Sequence, residues 1–101
     1  MKFFVIGDED TVLGFSLAGI DGEAVNEAEE AKASLEKAFK MEGLGIIVIT
    51  ERVAEKIRSL VDQYIYKTTF PLIIEIPDRL GPVGRGKSIM ELVQEAVGIH
   101  I

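Results

Sequence analysis

Phe3-Phe4-Val5-Ile6 is apolar at four successive positions and stops at Gly7-Asp8-Glu9-Asp10. A half-buried strand alternates apolar and polar residues. An unbroken apolar run instead marks a strand covered on both faces, as in a parallel sheet clad by helices. A helical pattern follows the acidic turn at once, and strand, tight turn and helix form the opening half of a βαβ unit. A doubly wound sheet begins at a central strand and adds later strands on either side. Residues 3–6 are therefore expected to form the spine of the sheet.

The first helix is predicted over 11–18, capped by Asp8 or Asp10, because a short carboxylate accepts from the free amides of a first turn. Val12, Leu13, Phe15, Leu17 and Ala18 leave few polar positions, so this helix is expected to be covered on more than one side. Gly14 costs about 1 kcal/mol against Ala inside a helix, and close approach to a neighbouring backbone is its expected reason. Gly19 ends the helix. Asp21-Gly22 reads as a turn and residues 23–25 as a short edge strand.

Asn26 with Glu29 resembles a capping box for a second, one-sided helix carrying Ala28, Ala31, Leu35, Ala38 and Phe39. Residues 44–49 are the clearest buried strand, rich in β-branched side chains. Thr50 is placed to cap a third helix. There Val53, Ala54, Ile57, Leu60, Val61, Tyr64 and Ile65 follow the helical period. Tyr64, Tyr66 and Phe70 are expected in the core or at its rim. Residues 72–76 form the last strand, bracketed by Pro71 and Pro77.

Residues 78–87 form a Gly-containing loop, expected to be flexible. Ser88 opens a final helix striped with Ile89, Leu92, Val93, Ala96 and Val97. The predicted organisation is a sheet domain over 1–77, a loop over 78–87, and a helix and tail over 88–101. The class is α/β: a small doubly wound, mainly parallel four-stranded sheet flanked by helices, with right-handed crossovers.

The chain is 101 residues long with a formal net charge of −6, no cysteine and one histidine. This length makes one domain, able to build a core. The acidic balance argues against a nucleic-acid or anionic-membrane partner. Without cysteine there is neither a disulfide framework nor a zinc–thiolate site. Met1-Lys2 precede too short an apolar run for a signal peptide, and no stretch has the ~20 apolar residues that span a bilayer. Direct membrane insertion is not expected.

Gly81-Pro82-Val83-Gly84-Arg85-Gly86-Lys87-Ser88 fits the phosphate-loop pattern G-x-x-x-x-G-K-[ST], in which backbone amides wrap phosphates and the hydroxyl holds Mg²⁺. Gly81, Gly86, Lys87 and Ser88 would do that work in a small nucleotide-binding protein. Residues 77–80 separate this loop from its strand, whereas a phosphate loop turns directly off one. No later strand supplies a metal-holding Asp, and Ser88 already serves as a helix cap. A hinge is the simpler reading, and no cofactor is expected.

Gly7-Asp8-Glu9-Asp10 is similar to the acidic cluster of receiver-type signalling domains. Those domains also place an Asp at the end of the third strand, where this chain has Ile49-Thr50-Glu51. Helix capping is the better use of the turn, and no metal site is expected. His100 has neither a partner base nor a nucleophile beside it, so no catalytic residue is assigned.

The segment from Phe4-Val5-Ile6-Gly7-Asp8-Glu9-Asp10 through Thr11-Val12-Leu13-Gly14-Phe15-Ser16-Leu17-Ala18-Gly19-Ile20 resembles the start of the F subunit of the V-type and archaeal-type rotary ATPases. Pro71-Leu72-Ile73-Ile74-Glu75-Ile76-Pro77 resembles that family's last strand, and Val93-Gln94-Glu95-Ala96-Val97-Gly98-Ile99 its C-terminal helix. The resemblance implies a Rossmann-like or receiver-like sheet and a non-catalytic rotor subunit of the central stalk. A member of this family docks on the coiled-coil shaft, the D subunit, and contacts with the catalytic-head subunits are compatible with that place. It modulates coupling between ATP chemistry and ion transport, from a cytoplasmic position peripheral to the membrane. Ile89, Leu92, Val93, Val97 and Ile99 lie at the partner-binding positions. In isolation their stripe is expected to fold back on the sheet or pair two copies. The glycine-rich loop departs from the family pattern.

Overall fold

A computed structural model describes residues 2–78. The loop and final helix expected over 78–87 and 88–101 lie, apart from Asp78, outside the described residues. The elements in chain order are β1 (Lys2–Gly7), α1 (Glu9–Leu17), β2 (Asp21–Ala24), α2 (Ala28–Phe39), β3 (Leu44–Thr50), α3 (Glu51–Lys56), α4 (Arg58–Lys67) and β4 (Leu72–Ile76).

The strands form one four-stranded sheet in the order β2-β1-β3-β4, and every pairing is parallel. The apolar opening run does lie at the centre: Phe4 pairs with Ile47 and Asp21, and Ile6 with Ile49 and Glu23. Residue parity divides the sheet into two faces. Phe4, Ile6, Ile47 and Ile49 point into the main core with Ala31, Leu35 and Ala38 of α2, Val53 and Ala54 of α3, and Val61 of α4. Phe3, Val5, Ile46, Val48, Leu72 and Ile74 belong to the opposite face. A Cβ at Gly7 would meet the Thr50 Cγ2 and the Thr11 side chain, which sets the start of α1 over this second face.

Several expectations shift on the structure. Asp21-Gly22 is not a free turn but the first part of β2. Gly22 pairs with Val5, and a Cβ there would collide with Val5 Cγ1 and lie 2.5 Å from its carbonyl oxygen. Strand contact, not turning, requires this glycine. The cap of α2 lies one residue further on than Asn26 and Glu29. One oxygen of Glu30 accepts from the amides of both Asn26 and Glu27, at 3.1 and 3.0 Å. The expected third helix is two helices. Ile57, at φ −132° and ψ 38°, breaks the ladder between α3 and α4 while staying buried. The apolar period runs through the break, so the period alone does not reveal it.

Ionic contacts fix that break. Arg58 donates to both oxygens of Glu75 on β4, each at 2.7 Å, and also to Glu55 and Asp62. The bond to Glu75 is the main reason the guanidinium holds its proton more firmly than usual. A planar fork on one carboxylate orients as well as attracts, so Arg58 sets the angle of α4 to the sheet. Phe39 of α2 stacks on Tyr64 of α4, with centroids 4.0 Å apart and planes at 14°. Tyr66 and Phe70 are exposed rather than core residues.

The largest departure is α1. Its composition predicts cover on more than one side, yet none of its residues is buried. Leu13 is 60% exposed and Leu17 84%. Nothing within 4 Å would meet a Cβ on Gly14, so no neighbouring backbone within the described residues explains that glycine. Val12 and Phe15 take half-buried positions of the helix, which leaves Leu13 and Leu17 outward beside Glu9, Asp10 and Ser16.

Two stability results should follow. Gly14→Ala should raise unfolding stability by about 0.5–1 kcal/mol, since the space is open and the backbone already helical. Arg58→Ala should lower it by about 1.5–3 kcal/mol through loss of charge-assisted bonds to Glu75. Urea denaturation of the full chain measures both.

Candidate functional site

In an open parallel α/β sheet, ligands settle at the carboxyl ends of the strands where the strand order reverses. Here that point lies between β1 and β3. Its side chains are engaged in local structure. Asp8 caps α1: its Oδ2 accepts from the Thr11 amide at 3.1 Å and its Oδ1 from the Thr11 hydroxyl at 2.6 Å. Burial pushes this carboxyl up, but the Thr11 hydroxyl and backbone amides outweigh that and hold it below its ordinary range. Thr50 is fully buried, and its hydroxyl accepts from the Val53 amide at 3.3 Å. Arg52 pairs with Asp78 at 2.9 Å. Among the described residues no group of three His, Cys, Asp or Glu side chains could hold a metal ion.

Of the residues singled out in the sequence, Asp8 serves as the cap, and Asp10 lies in the first turn of α1. The phosphate-loop residues Gly81, Gly86, Lys87 and Ser88, and the stripe Ile89, Leu92, Val93, Val97 and Ile99, lie outside the described residues. They are not brought into any site here.

The candidate site that sequence reasoning misses is an apolar surface on the α1 side of the sheet. A groove of about 430 Å³ runs between Gly14 and Phe15 of α1, with Ala18 at its C-cap, and Ile76 and Pro77 at the end of β4. Leu13 and Leu17 project beside it. Further across the same sheet face, Leu72 is 48% exposed and Ile74 43%. Among the described residues α1 is the helix on this face, whereas α2, α3 and α4 all pack on the other. The signal in the sequence is a short helix with few polar positions, which reads as a sign of burial within the chain.

This is a small doubly wound α/β domain of flavodoxin-like strand order, with an apolar helix turned outward. The model of the family described as ATP synthase (F/14-kDa) subunit matches residues 3–93, and the chain belongs to that family. It is 36% identical to the F subunit of the A-type ATP synthase of Pyrococcus furiosus over 106 aligned positions, covering all of this chain and 98% of that one. It is 39% identical to the corresponding A-type F subunit of Methanococcus maripaludis, covering all of this chain and 99% of that protein. Among solved structures, the F subunit of the V-type ATP synthase of Archaeoglobus fulgidus superposes with a TM-score of 0.65 at 26% identity. That match covers 74% of this chain and 95% of the other. The family resemblance noted in the sequence is thereby met. No helix among the described residues is long and apolar enough to cross a membrane.

Asp8→Ala should cost about 1 kcal/mol as a lost cap. The sign with pH follows from the lowered carboxyl. Its contribution is complete above the ordinary value of 3.8 and disappears as pH falls through the lower folded value. The gap between wild type and Asp8→Ala, measured by thermal unfolding, should therefore be constant near neutrality and narrow below about pH 4.

Proposed function

We propose that the chain is a central-stalk component of an A/V-type rotary ATP synthase, docking on the coiled-coil shaft, the D subunit. There it modulates coupling between ATP synthesis or hydrolysis and ion transport, without a catalytic site of its own. It works from the cytoplasmic side as part of the sector outside the membrane. The observation that carries this reading is its end-to-end match to proteins named as the F subunit of A-type ATP synthases. The local chemistry supports it, because the polar groups at the switch point serve caps and ion pairs while a broad apolar surface faces outward.

Within this proposal the stripe Ile89, Leu92, Val93, Val97 and Ile99 supplies part of the contact with the shaft. Each aliphatic side chain buried there would contribute about 1.5–3 kcal/mol. Deleting residues 88–101 should leave a folded domain, because the described residues from Phe4 to Val61, with Ile73 packed against them, already form a buried core. The truncated chain should bind the shaft more weakly and lose its effect on ATP turnover in the reconstituted complex. Leu92→Asp with Val93→Asp should reproduce both losses. Calorimetry and turnover assays decide the matter: undiminished binding and regulation by the truncated chain would remove the stripe from the proposal.

A further inference from the structure

We infer that the outward face of α1, with the groove running to Ile76 and Pro77, is a docking surface for a partner helix whose apolar stripe is flanked by Lys or Arg.

The apolar half of the inference rests on exposure that the described chain does not relieve. Leu13 and Leu17, one turn apart, are 60% and 84% exposed, and Gly14 and Ala18 line the groove beside them. A helix seated there would meet two leucines on one side and a low wall on the other. The missing side chain at Gly14 lets its axis come close to α1. Gly14 carries a helix-propensity cost with nothing near it in the described chain. Close packing by an external helix accounts for that cost.

The charged half rests on the distribution of ionic residues. Between Lys2 and Lys32 the chain has eight carboxylates and no Lys or Arg. Glu9 and Asp10 stand in the first turn of α1, and its last turn carries no basic residue to offset the negative end of the helix dipole. Asp10 and Asp78 both line the groove, and both are engaged, Asp78 with Arg52 among its partners. The basic residues of the described helices lie on α2, α3 and α4, and of these Arg52 reaches Asp78 at the groove. A cation-flanked helix matches both ends of this surface, and such complementarity steers encounter and sets register. The chain's own stripe over 89–97 is flanked by Glu91 and Glu95, which suits the surface less well.

That the partner is the rotor shaft rests on the function proposed above; the surface and its chemistry do not. The test uses the full chain in two arms. In the first, a short amphipathic helical peptide with a leucine stripe and lysine flanks is titrated against the isotope-labelled protein, beside a twin with glutamate flanks. The lysine peptide should shift the amide signals of Leu13, Gly14, Leu17 and Ala18, and its binding should weaken with salt. The glutamate twin should not. In the second, binding to the coiled-coil shaft is compared for wild type, Gly14→Leu and Leu17→Asp. Gly14→Leu fills the groove at an open helical position, so the fold survives it, and it should weaken binding roughly tenfold or more.

Shaft binding by wild type that neither substitution alters would overturn the docking surface while leaving the rotor assignment intact. Peptide shifts at α1 without any shaft binding would do the reverse. If Leu92→Asp with Val93→Asp moves the same α1 signals in the free protein and improves peptide binding, the chain's own tail is the occupant and the inference falls. Two copies associating through Leu17, seen as a dimer that Leu17→Asp dissolves, would also overturn it.

Discussion

The pairing of β1 with β3 is the contact on which the rest of the molecule depends. Phe4 with Ile47 and Ile6 with Ile49 place four large side chains on one face at the centre of the sheet. Parallel neighbours cannot be joined by a tight turn, so each addition to this pair brings a crossover helix with it. The chain steps outward once through α1 to β2, then crosses over β1 through α2 to reach β3. It continues in that direction through α3 and α4 to β4. Right-handed crossovers made in opposite directions put their helices on opposite faces. Among the described helices, the separate position of α1 is a consequence of strand order, not of its own sequence.

The two faces are therefore stabilised by different means. On the crowded face, apolar packing is supplemented by specific polar ties at its two margins. Glu23 on β2 accepts from Ser34 at 2.7 Å and from Lys37 at 3.0 Å on α2. Those two side chains hold its carboxyl below the ordinary range, against a smaller opposing effect of burial. At the other margin Glu75 on β4 receives the Arg58 fork. Both carboxylates lie on edge strands, and both anchor the helix that passes over them. On the face under α1, the edge residues Leu72 and Ile74 remain half exposed.

How much the sequence reveals follows from the length scale of each signal. Strand runs and the Asp8 and Thr50 caps are local, and the structure confirms the sheet class, the central place of the first strand, and both caps. Gly22 reads as a turn residue because its true constraint comes from Val5, distant along the chain. The Ile57 break is hidden because the apolar stripe continues through it, while the ion pair that fixes it reaches to Glu75. The exposure of α1 is concealed for a different reason. A helix rich in apolar residues needs a cover, but sequence cannot say whether that cover belongs to the same chain. The candidate site is the least legible part, because it is defined by what the described fold leaves open.

Asymmetry of charge and asymmetry of cover coincide in this domain. Among the described helices the lysines and arginines lie on α2, α3 and α4, where Lys37, Arg52 and Arg58 pair with carboxylates. The helix left outward carries carboxylates at its start and no cation at its end. A surface of this kind is held back from self-association because two copies meeting face to face bring like charges together. It keeps its apolar area available for a partner of the opposite sign. For a member of this rotary-ATPase family, that is a physical means of combining stability in isolation with selective entry into an assembly. The negative end of α1 favours the right partner and disfavours a second copy of the same chain by the same electrostatic term.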